Sequence, residues 1–284
     1  MNVAVSFNDQ YLRYACVALA SLLENSASRL SVHVLTADLS AESEKVLRRL
    51  FAPFPDAGLA IERVDDSAFN DIDMSKTHLS KETFFRFLLP RLFPSLDKIL
   101  YMDMDLVVRG DVTELFETPM DGALAAAVRD LWVDRDEPTG FKGRLGLSAS
   151  DTYVNAGVML INLDAWRAED ICSRAIRLIM ERSEEFPFFD QDALNILFRG
   201  RVKVLDGKWN FAAWNYDQQK SLRKKAMILH YAGKVKPWNT PSRRWKDCVW
   251  AYYRSLADHI LRTGTRPPFW RKWIYSARAR HGGS

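Results

Sequence analysis

Cysteine is scarce in this 284-residue sequence, which contains only Cys16, Cys172 and Cys248. Their odd number and wide spacing argue against a disulfide framework and against a zinc site built from thiolates. So few thiols are typical of a protein of the reducing cytosol, and we therefore expect a cytoplasmic location.

Long hydrophobic runs, internal repeats and low-complexity linkers are also absent. No segment approaches the roughly 20 consecutive apolar residues that span a bilayer. The first residues, MNVAVSFNDQ, contain no basic leader and no extended apolar segment, so we expect no secretion signal. With 48% hydrophobic residues, the chain can bury the core of one large domain or of a domain with an appendage.

Acidic residues are rare towards the C-terminus. Residues 220–284 contain 16 Lys or Arg but only Asp247 and Asp258, a net charge of +14. Residues 1–219 contain 24 basic and 34 acidic residues, a net charge of −10. We therefore expect one domain over 1–238 and a basic region over 239–284 that meets an anionic partner, either lipid headgroups or nucleic acid.

Strand-like and helix-like segments alternate along the chain. Apolar and β-branched runs predict the strands, and apolar residues at helical spacing predict the helices. We expect Pro90 to interrupt or terminate a short helical region in SKETFFRFLLPRLFP, and DAWRAEDICSRAIRLIMERSEE to form one helix. The alternation predicts an α/β fold with a mostly parallel sheet flanked by helices, and ligands bind such sheets at the carboxyl ends of strands.

Asp103 and Asp105 lie in the stretch KILYMDMDLVVRGD, at the end of a strand apolar enough to be buried on both faces. Two carboxylates at i and i+2 repel each other unless a positive group lies between them. Mg²⁺ or Mn²⁺ prefers such oxygen ligands and keeps coordination positions for substrate phosphates.

A haloacid-dehalogenase-type phosphatase is an alternative interpretation of the same residues, with the first Asp as nucleophile and the second as general acid/base. That family has its motif near the start of the fold and a later acidic pair. Here about a hundred residues come first and no convincing acidic pair follows, so the metal-site interpretation is favoured.

The segment LHYAGKVKPW adds three candidate residues. His230, at a predicted strand end, could complete a metal site with Asp103 and Asp105; a structural histidine is the alternative. Gly233 lets the backbone approach a diphosphate closely, and Lys236 offers it a positive charge.

Several motifs in succession resemble the retaining glycosyltransferases of family 8, which include bacterial lipopolysaccharide galactosyl- and glucosyltransferases. The similarity covers about residues 1–240 in order, and it lies in the segments VAVSFNDQYLRYACVALASLL, LSKETFFRFLLPRLFP, KILYMDMDLVVRGDVTELF, YVNAGVMLINLDAWR, FFDQDALN, WNF and LHYAGKVKPW. The resemblance implies a GT-A type, Rossmann-like fold with a small, basic, helical C-terminal extension.

The resemblance also implies a UDP-hexose donor, carrying galactose or glucose, and a saccharide or lipid-linked acceptor such as the lipopolysaccharide core. The implied cofactor is Mn²⁺ (or Mg²⁺), bound by Asp103, Asp105 and His230, which stabilises the charge that develops on the departing UDP. A non-catalytic nucleotide-sugar binder is a second alternative, which the intact set of candidate ligands argues against.

Further residues receive roles only from the resemblance. The nucleotide-binding set is Ser6, Asn8, Tyr11, Arg86, Met104, Gly233 and Lys236. A helix cap at Asn8 and a solvated helix arginine at Arg86 are the structural alternatives. The sugar-binding set is Asp130, Asn155, Ala156, Asp190 and Gln191, with Asp190 and Gln191 also catalytic.

Gln191 poses the mechanistic question. An amide cannot form the stable glycosyl ester that a carboxylate forms in retaining hydrolases. We therefore expect front-face attack through an oxocarbenium-like state, in which the departing phosphate oxygen deprotonates the acceptor and Gln191 stabilises positive charge.

The C-terminal segment RPPFWRKWIYSARARH combines aromatic and cationic residues. Trp270, Trp273, Ile274 and Ala277 recur at helical spacing with Phe269 adjacent, and Arg271, Lys272, Arg278 and Arg280 occupy much of the remaining surface. This pattern predicts peripheral binding to an anionic membrane surface, at the inner face of the cytoplasmic membrane, rather than to nucleic acid. Packing of the aromatic residues on the catalytic domain is the alternative.

Overall fold

The structure, a computed structural model, describes residues 1–72, 80–135, 140–213, 220–239 and 245–268. Its main sheet has seven strands in the order β3-β2-β1-β4-β7-β6-β8, and a smaller sheet has the order β5-β10-β9. The strands are β1 (Asn2–Ser6), β2 (Leu30–Thr36), β3 (Ala57–Arg63), β4 (Lys98–Met102), β5 (Leu106–Val108), β6 (Ala125–Arg129), β7 (Val154–Asn162), β8 (Val202–Val204), β9 (Phe211–Ala212) and β10 (Ile228–His230).

Helices flank both faces of the main sheet. The α-helices are α1 (Leu12–Asn25), α2 (Ala41–Phe51), α3 (Leu89–Leu92), α4 (Thr113–Phe116), α5 (Leu131–Arg135), α6 (Phe141–Arg144), α7 (Leu163–Ala168), α8 (Ile171–Arg182), α9 (Asp190–Leu197), α10 (Lys220–Lys225) and α11 (Trp245–Thr263). Short 3₁₀ helices occupy Asp9–Tyr11, Ser67–Phe69, Lys81–Leu88, Ser183–Glu185 and Gly207–Trp209.

Most strand pairs of the main sheet are parallel. β2 pairs in parallel with β1 and β3, β1 with β4, and β6 with β8, whereas β7 runs antiparallel to both β4 and β6. The predicted α/β fold with a mixed, mostly parallel sheet is therefore confirmed.

β4 is buried on both faces, as its apolar sequence predicts. Leu100 and Met102 belong to the hydrophobic core under α1, α2 and α11, whereas Ile99 and Tyr101 belong to the core under α3, α7, α8 and α9. Successive side chains of a strand point to opposite faces, so one five-residue strand serves both cores.

The chain passes from the main sheet to the smaller sheet directly after β4. Met102 is the last β4 residue, and Leu106 begins β5, which pairs antiparallel with β10. Residues 103–105 therefore form the crossover between the two sheets, and a strand at each end fixes the path of their backbone.

Two predicted helices differ from the observed ones. Pro90 lies in the first turn of α3, where its missing N–H has no intrahelical partner to lose, so it neither breaks nor ends the helix. The single helix expected after β7 is two helices, because Asp170 adopts φ 46° and its carboxylate caps α8 through the Ser173 N–H.

The C-terminal helix α11 belongs to the hydrophobic core. Val249, Trp250, Tyr253, Leu256 and Ile260 are buried in the cluster that also contains residues of α1 and β5. After this helix, Arg266 Nη2 lies 3.2 Å from the buried Glu24 Oε2 of α1. Among the residues described, no helix has the length and apolar character needed to span a bilayer.

Candidate functional site

Asp103 and Asp105 are held by the backbone on the two sides of the crossover. The Asp103 N–H donates to the Gly157 carbonyl of β7 at 2.8 Å, and the Asp105 carbonyl accepts the Tyr231 N–H at 2.8 Å. The first contact extends the ladder between β4 and β7, and the second extends the ladder between β5 and β10. The two carboxylates therefore stand where the two sheets meet.

His230 reaches the same point because β10 pairs with β5. It lies opposite Leu106, the residue after Asp105, in that ladder, and the residue is 3% exposed. One ligand atom from each of Asp103, Asp105 and His230 lies within 4.8 Å of the other two. The structure therefore brings together the three residues predicted as metal ligands.

Each of these three side chains is held on the side away from the others. Arg86 Nη2 donates to Asp103 Oδ1 at 2.8 Å, Lys236 Nζ donates to Asp105 Oδ2, and His230 Nδ1 lies 2.9 Å from Asn210 Oδ1. The remaining atoms face one another: His230 Nε2 lies 3.1 Å from Asp105 Oδ1 and 3.9 Å from Asp103 Oδ2.

The charges of the cluster shift the pKa values of its members. Burial raises the pKa of the Asp105 carboxyl, but the neighbouring His230 and Lys236 outweigh it and bring the pKa well below its usual range. Burial lowers the pKa of His230, but the Asp105 and Asp103 carboxylates outweigh it and raise the pKa above 6.5. The space between the three groups therefore favours positive charge.

This donor set suits a hard divalent cation. Two carboxylate oxygens and one imidazole nitrogen converge, and the imidazole makes the outer hydrogen bond that metal-binding histidines characteristically make. Any proton on Nε2 has to leave before a cation can bind there.

Gly157 leaves room for this cluster. A Cβ at position 157 would lie 2.2 Å from His230 Cε1 and 2.8 Å from Asp103 Oδ2. The absence of a side chain at Gly157 therefore lets β7 pass against the imidazole and the first carboxylate.

Arg86 is buried rather than solvated, so the structural alternative of a solvated helix arginine is wrong. Its guanidinium donates four hydrogen bonds, to the Asp103 carboxylate, the Ala156 carbonyl, and the carbonyl and hydroxyl of Thr83. Its Nη1 also forms an ion pair with Asp190. The guanidinium therefore joins the Asp103 side of the site to the Asp190 side.

Asp190 begins α9 and is 4% exposed. It accepts a hydrogen bond from Thr83 Oγ1 at 3.1 Å, and its second oxygen lies 3.2 Å from Arg86 Nη1. Burial raises the pKa of this carboxyl to about 6; Arg86 lowers it and Asp103 raises it.

Gln191 follows Asp190 and points towards β7. Its Oε1 accepts the Ala156 N–H at 3.0 Å, and its Nε2 donates to Asp130 Oδ2 at 3.1 Å and to the Tyr153 hydroxyl at 3.3 Å. Both amide hydrogens are used, which leaves one lone pair on Oε1.

Asp130 and Asn155 complete the same cluster. Asn155 Nδ2 donates to Asp130 Oδ2 at 3.1 Å, and the other Asp130 oxygen accepts the N–H groups of Trp132 and Val133 at the start of α5. The structure therefore brings four of the predicted sugar-binding residues, Asp130, Asn155, Ala156 and Gln191, into one hydrogen-bonded group. Arg86 and Thr83 connect this group to the fifth, Asp190.

The first strand-to-helix turn carries Ser6, Asn8 and Tyr11. Asn8 makes no side-chain cap to the helix that follows, so the capping alternative is wrong. Instead, Asn8 lines a cavity of about 360 Å³ together with Asp9, Gln10, Ala37, Asp38, Asp66, Ser80, Lys81 and Glu82. The Ser6 hydroxyl hydrogen-bonds to the Tyr101 hydroxyl at 2.8 Å.

Tyr11 links this turn to the segment after β10. Burial and the nearby Asp105 and Asp103 carboxylates raise the pKa of its phenol. Its ring packs edge-on against Trp238, which stacks on Tyr14 with ring centroids 4.1 Å apart. The segment that contains Gly233 and Lys236 is therefore packed against α1.

The remaining nucleotide-site candidates differ in exposure. Met104, between the two carboxylates, is buried in the core beneath α1. Gly233 is exposed at φ 88°, a backbone conformation that favours glycine. Lys236 also donates to the Tyr231 carbonyl at 2.8 Å, which orients its ammonium towards Asp105.

Three residues of this site were not predicted from the sequence. Asn210 contacts His230, Thr83 contacts both Asp190 and Arg86, and Tyr153 contacts Gln191 and Asp192. All three lie in segments that the sequence singled out, LSKETFFRFLLPRLFP, YVNAGVMLINLDAWR and WNF, but nothing in those segments names their partners. The aromatic and basic residues predicted to bind membrane, 269–284, lie outside the described residues.

Comparisons with known proteins place the chain among sugar-transferring enzymes. The sequence model described as Glycosyl transferase family 8 matches residues 2–241. A putative glycosyltransferase of Haemophilus influenzae is 26% identical over 244 residues, which cover 84% of this chain and 73% of that protein. The lipopolysaccharide 1,3-galactosyltransferase of Salmonella typhimurium is 26% identical over 253 residues, with 84% and 73% covered.

A solved structure matches almost the whole described fold. The crystal structure of the galactosyltransferase LgtC in complex with donor and acceptor sugar analogs superposes with a TM-score of 0.78 at 28% identity. The match covers 96% of this chain and 99% of that chain.

We expect the Gly157→Ala variant to lose metal binding, because its methyl group collides with the His230 ring and the Asp103 carboxylate. Mn²⁺ affinity should fall by at least ~10-fold, and the free energy of unfolding should fall by about 1–3 kcal/mol. Titration of Mn²⁺ by electron paramagnetic resonance and denaturant unfolding measure the two effects.

Gly58→Ala is the matched control. A Cβ at position 58 of β3 meets only the Leu30 carbonyl, at 3.7 Å, which is an ordinary contact. This variant should bind Mn²⁺ as the wild type does, and a Gly157→Ala variant with unchanged Mn²⁺ affinity would contradict the described packing.

Proposed function

The chain belongs to glycosyl transferase family 8, and from this premise we propose that it transfers galactose or glucose from a UDP-hexose to a saccharide or glycolipid acceptor, with retention of configuration. The observation that carries this proposal is the convergence of Asp103, Asp105 and His230 within 4.8 Å, beside the cluster that contains Gln191. The family resemblance inferred from the sequence is confirmed. The phosphatase and non-catalytic alternatives receive no support.

The cation side of the site would bind the donor diphosphate. Asp103, Asp105 and His230 would hold Mn²⁺ or Mg²⁺, which supplies positive charge to the diphosphate as the glycosidic bond breaks. Lys236 forms an ion pair with Asp105, so its ammonium group is positioned to add a second positive charge near the diphosphate. Gly233 and the backbone around it would approach the same phosphates.

The nucleoside would occupy the side of the site near β1. Asn8 lines the 360 Å³ cavity, and its side chain makes no helix cap, so it is available to the base or ribose. Ser6, Tyr11 and Met104 complete this region. Arg86 would act on the donor through Asp103 and Asp190, because it is buried and its guanidinium already contacts both carboxylates.

The sugar would lie against Asp130, Asn155, Ala156, Asp190 and Gln191. Asp130 already accepts four hydrogen bonds, so it would act on the sugar by holding the amides of Asn155 and Gln191 in place. Burial raises the pKa of Asp190 only to about 6, so at neutral pH its carboxylate can accept a hydrogen bond from a hydroxyl group.

Gln191 would stabilise the transition state electrostatically. Its locked amide leaves one lone pair on Oε1, which can face positive charge at the anomeric carbon without forming a bond. The acceptor hydroxyl would attack from the side of the departing phosphate, whose oxygen takes the proton.

The acceptor would be lipid-linked, such as a growing lipopolysaccharide core, if the basic segment 269–284 lies on an anionic membrane. The support is its composition: four aromatic residues and four basic residues within 269–280. The chain reaches this segment from α11, which packs on α1 and α2.

We expect UDP to bind with a dependence on Mn²⁺, because the diphosphate and the carboxylates share the cation. Isothermal titration should show UDP affinity at least ~10-fold tighter with Mn²⁺ than with EDTA, and UDP-galactose or UDP-glucose should be hydrolysed only with the metal. Equal UDP binding in both buffers, or turnover of phosphomonoesters without nucleotide, would contradict the proposal.

The Gln191→Ala variant should lose rate and keep donor binding. We expect kcat to fall by about 10²–10³-fold, as for loss of one preorganised electrostatic group, with donor KM within about threefold of the wild type. Steady-state kinetics measure both, and thermal unfolding confirms that the variant is folded. A covalent sugar adduct on Asp190 or Gln191, detected by mass spectrometry, would overturn front-face attack.

Truncation after Pro268 should release the protein from anionic vesicles and spare donor hydrolysis. This cut removes Arg271, Lys272, Arg278 and Arg280 but retains Arg266, which contacts Glu24. At about 1 kcal/mol per basic residue, partition into phosphatidylglycerol vesicles should fall by on the order of 10²–10³-fold. Sedimentation with vesicles measures this; unchanged partition would exclude the membrane role.

A further inference from the structure

A continuous set of hydrogen bonds runs from the imidazole of His230 to the amide of Gln191. It passes through Asn210, Asn155 and Asp130, with distances of 2.9, 2.8, 3.1 and 3.1 Å in order. These residues come from β10, the segment before β9, β7, the end of β6 and α9, so the connection is made only in the folded chain.

The direction of each hydrogen bond is fixed by groups that can only donate, such as a backbone N–H, or only accept, such as a carboxylate. Asn155 Oδ1 accepts the Gly157 backbone N–H at 3.0 Å, and the other end of that amide faces the Asp130 carboxylate, which can only accept. The Asn155 amide therefore has one possible orientation, with its oxygen towards Asn210.

The orientation of Asn210 follows from that of Asn155. The atom that contacts Asn155 Oδ1 has to be a donor, so it is Nδ2, and the atom that contacts His230 is Oδ1. An amide oxygen only accepts, so His230 Nδ1 carries a hydrogen. In the neutral imidazole, Nε2 then has the free lone pair and faces Asp103 and Asp105.

The far end of the connection is fixed in the same way. Gln191 Oε1 accepts the Ala156 backbone N–H, so its Nε2 is the atom that donates to Asp130 Oδ2. A single oxygen of Asp130 therefore accepts hydrogen bonds from the amides of both Asn155 and Gln191.

Asn210 lies between His230 and Asn155 in this set. A substitution at Asn210 therefore changes the hydrogen bonds to both of these residues.

We propose that Asn210 is a positioning residue with two separable tasks. Its carbonyl holds His230 in the tautomer that presents Nε2 to a cation, and its N–H₂ group holds Asn155, and through Asp130 Gln191, in the orientation used for the sugar. This inference rests on the proposed function, since it assumes that a cation binds at His230 and a sugar binds near Gln191.

Asn210 lies beneath the site rather than in it. It is 6% exposed, and both of its side-chain heteroatoms are used on His230 and Asn155. It would therefore touch neither metal nor sugar. Such outer hydrogen bonds typically change metal affinity or activity by 10–100-fold when removed.

Two substitutions separate the tasks. Asn210→Leu removes both hydrogen bonds in a similar volume, so Mn²⁺ affinity and kcat should each fall by about 10–100-fold. Asn210→Asp still accepts from His230 Nδ1 but offers no donor to Asn155 Oδ1. It should bind Mn²⁺ at least as tightly as the wild type, while kcat falls by about 10-fold or more.

The experiment measures Mn²⁺ affinity by electron paramagnetic resonance without substrate, kcat and donor KM for UDP-sugar hydrolysis, and Tm, all on the full chain. Asn162→Ala is the control, because Asn162 caps α7 at the opposite end of β7 and pairs with Lys98. It should lower Tm without changing Mn²⁺ affinity.

The outcomes are distinct. Retained Mn²⁺ affinity with reduced kcat in Asn210→Asp, beside loss of both in Asn210→Leu, supports the two tasks. Parallel loss of Mn²⁺ affinity and kcat in both variants, or wild-type Mn²⁺ affinity in Asn210→Leu, overturns them while leaving the proposed function intact. A wild type that binds no Mn²⁺ contradicts both.

Discussion

Mutual repulsion between two carboxylates near a buried imidazole is the constraint on which this site depends. Asp103 and Asp105 are brought together by a crossover between two sheets, which neither residue can leave without breaking a strand pairing. The chain opposes their charge from outside with Arg86 on one and Lys236 on the other. Between them it leaves a point where His230 Nε2 and two carboxylate oxygens converge, which is where a cation is stabilised most.

The same structural elements that place the charges also place the sugar-side residues. β7 contributes Gly157, which makes room for His230, and its neighbour Ala156, whose N–H and carbonyl bind Gln191 and Arg86. One strand therefore sets the distance between the cation side and the sugar side. Because Arg86 also contacts Asp103 and Asp190, a displacement on either side is resisted by a buried ion pair on the other.

The features of this fold that depend on local sequence patterns could be predicted from the sequence. The buried β4, the carboxylates at its end and the alternation of strands and helices follow from apolar periodicity, and the structure has them. The break at Asp170 was missed because a left-handed residue with its own cap interrupts an otherwise continuous helical pattern. The roles of Asn210 and Gly157 were missed because they lie in contacts with His230, 20 and 73 positions away along the chain. No local sequence pattern shows which residues so far apart in the chain come into contact. The family motifs identify the predicted metal ligands, but they do not identify the residues that orient those ligands.

Pulsed electron paramagnetic resonance of Mn²⁺ added to the protein with UDP tests the central claim most directly, because it reports the nuclei next to the ion. We expect the ion to show coupling to one histidine nitrogen and to the phosphorus of UDP. The nitrogen coupling should change from that of ¹⁴N to that of ¹⁵N when histidine is labelled with ¹⁵N, and it should disappear in His230→Gln. Mn²⁺ that shows phosphorus coupling but no histidine nitrogen would contradict it, since the ion would then be bound by the nucleotide and not by the site that these two sheets build.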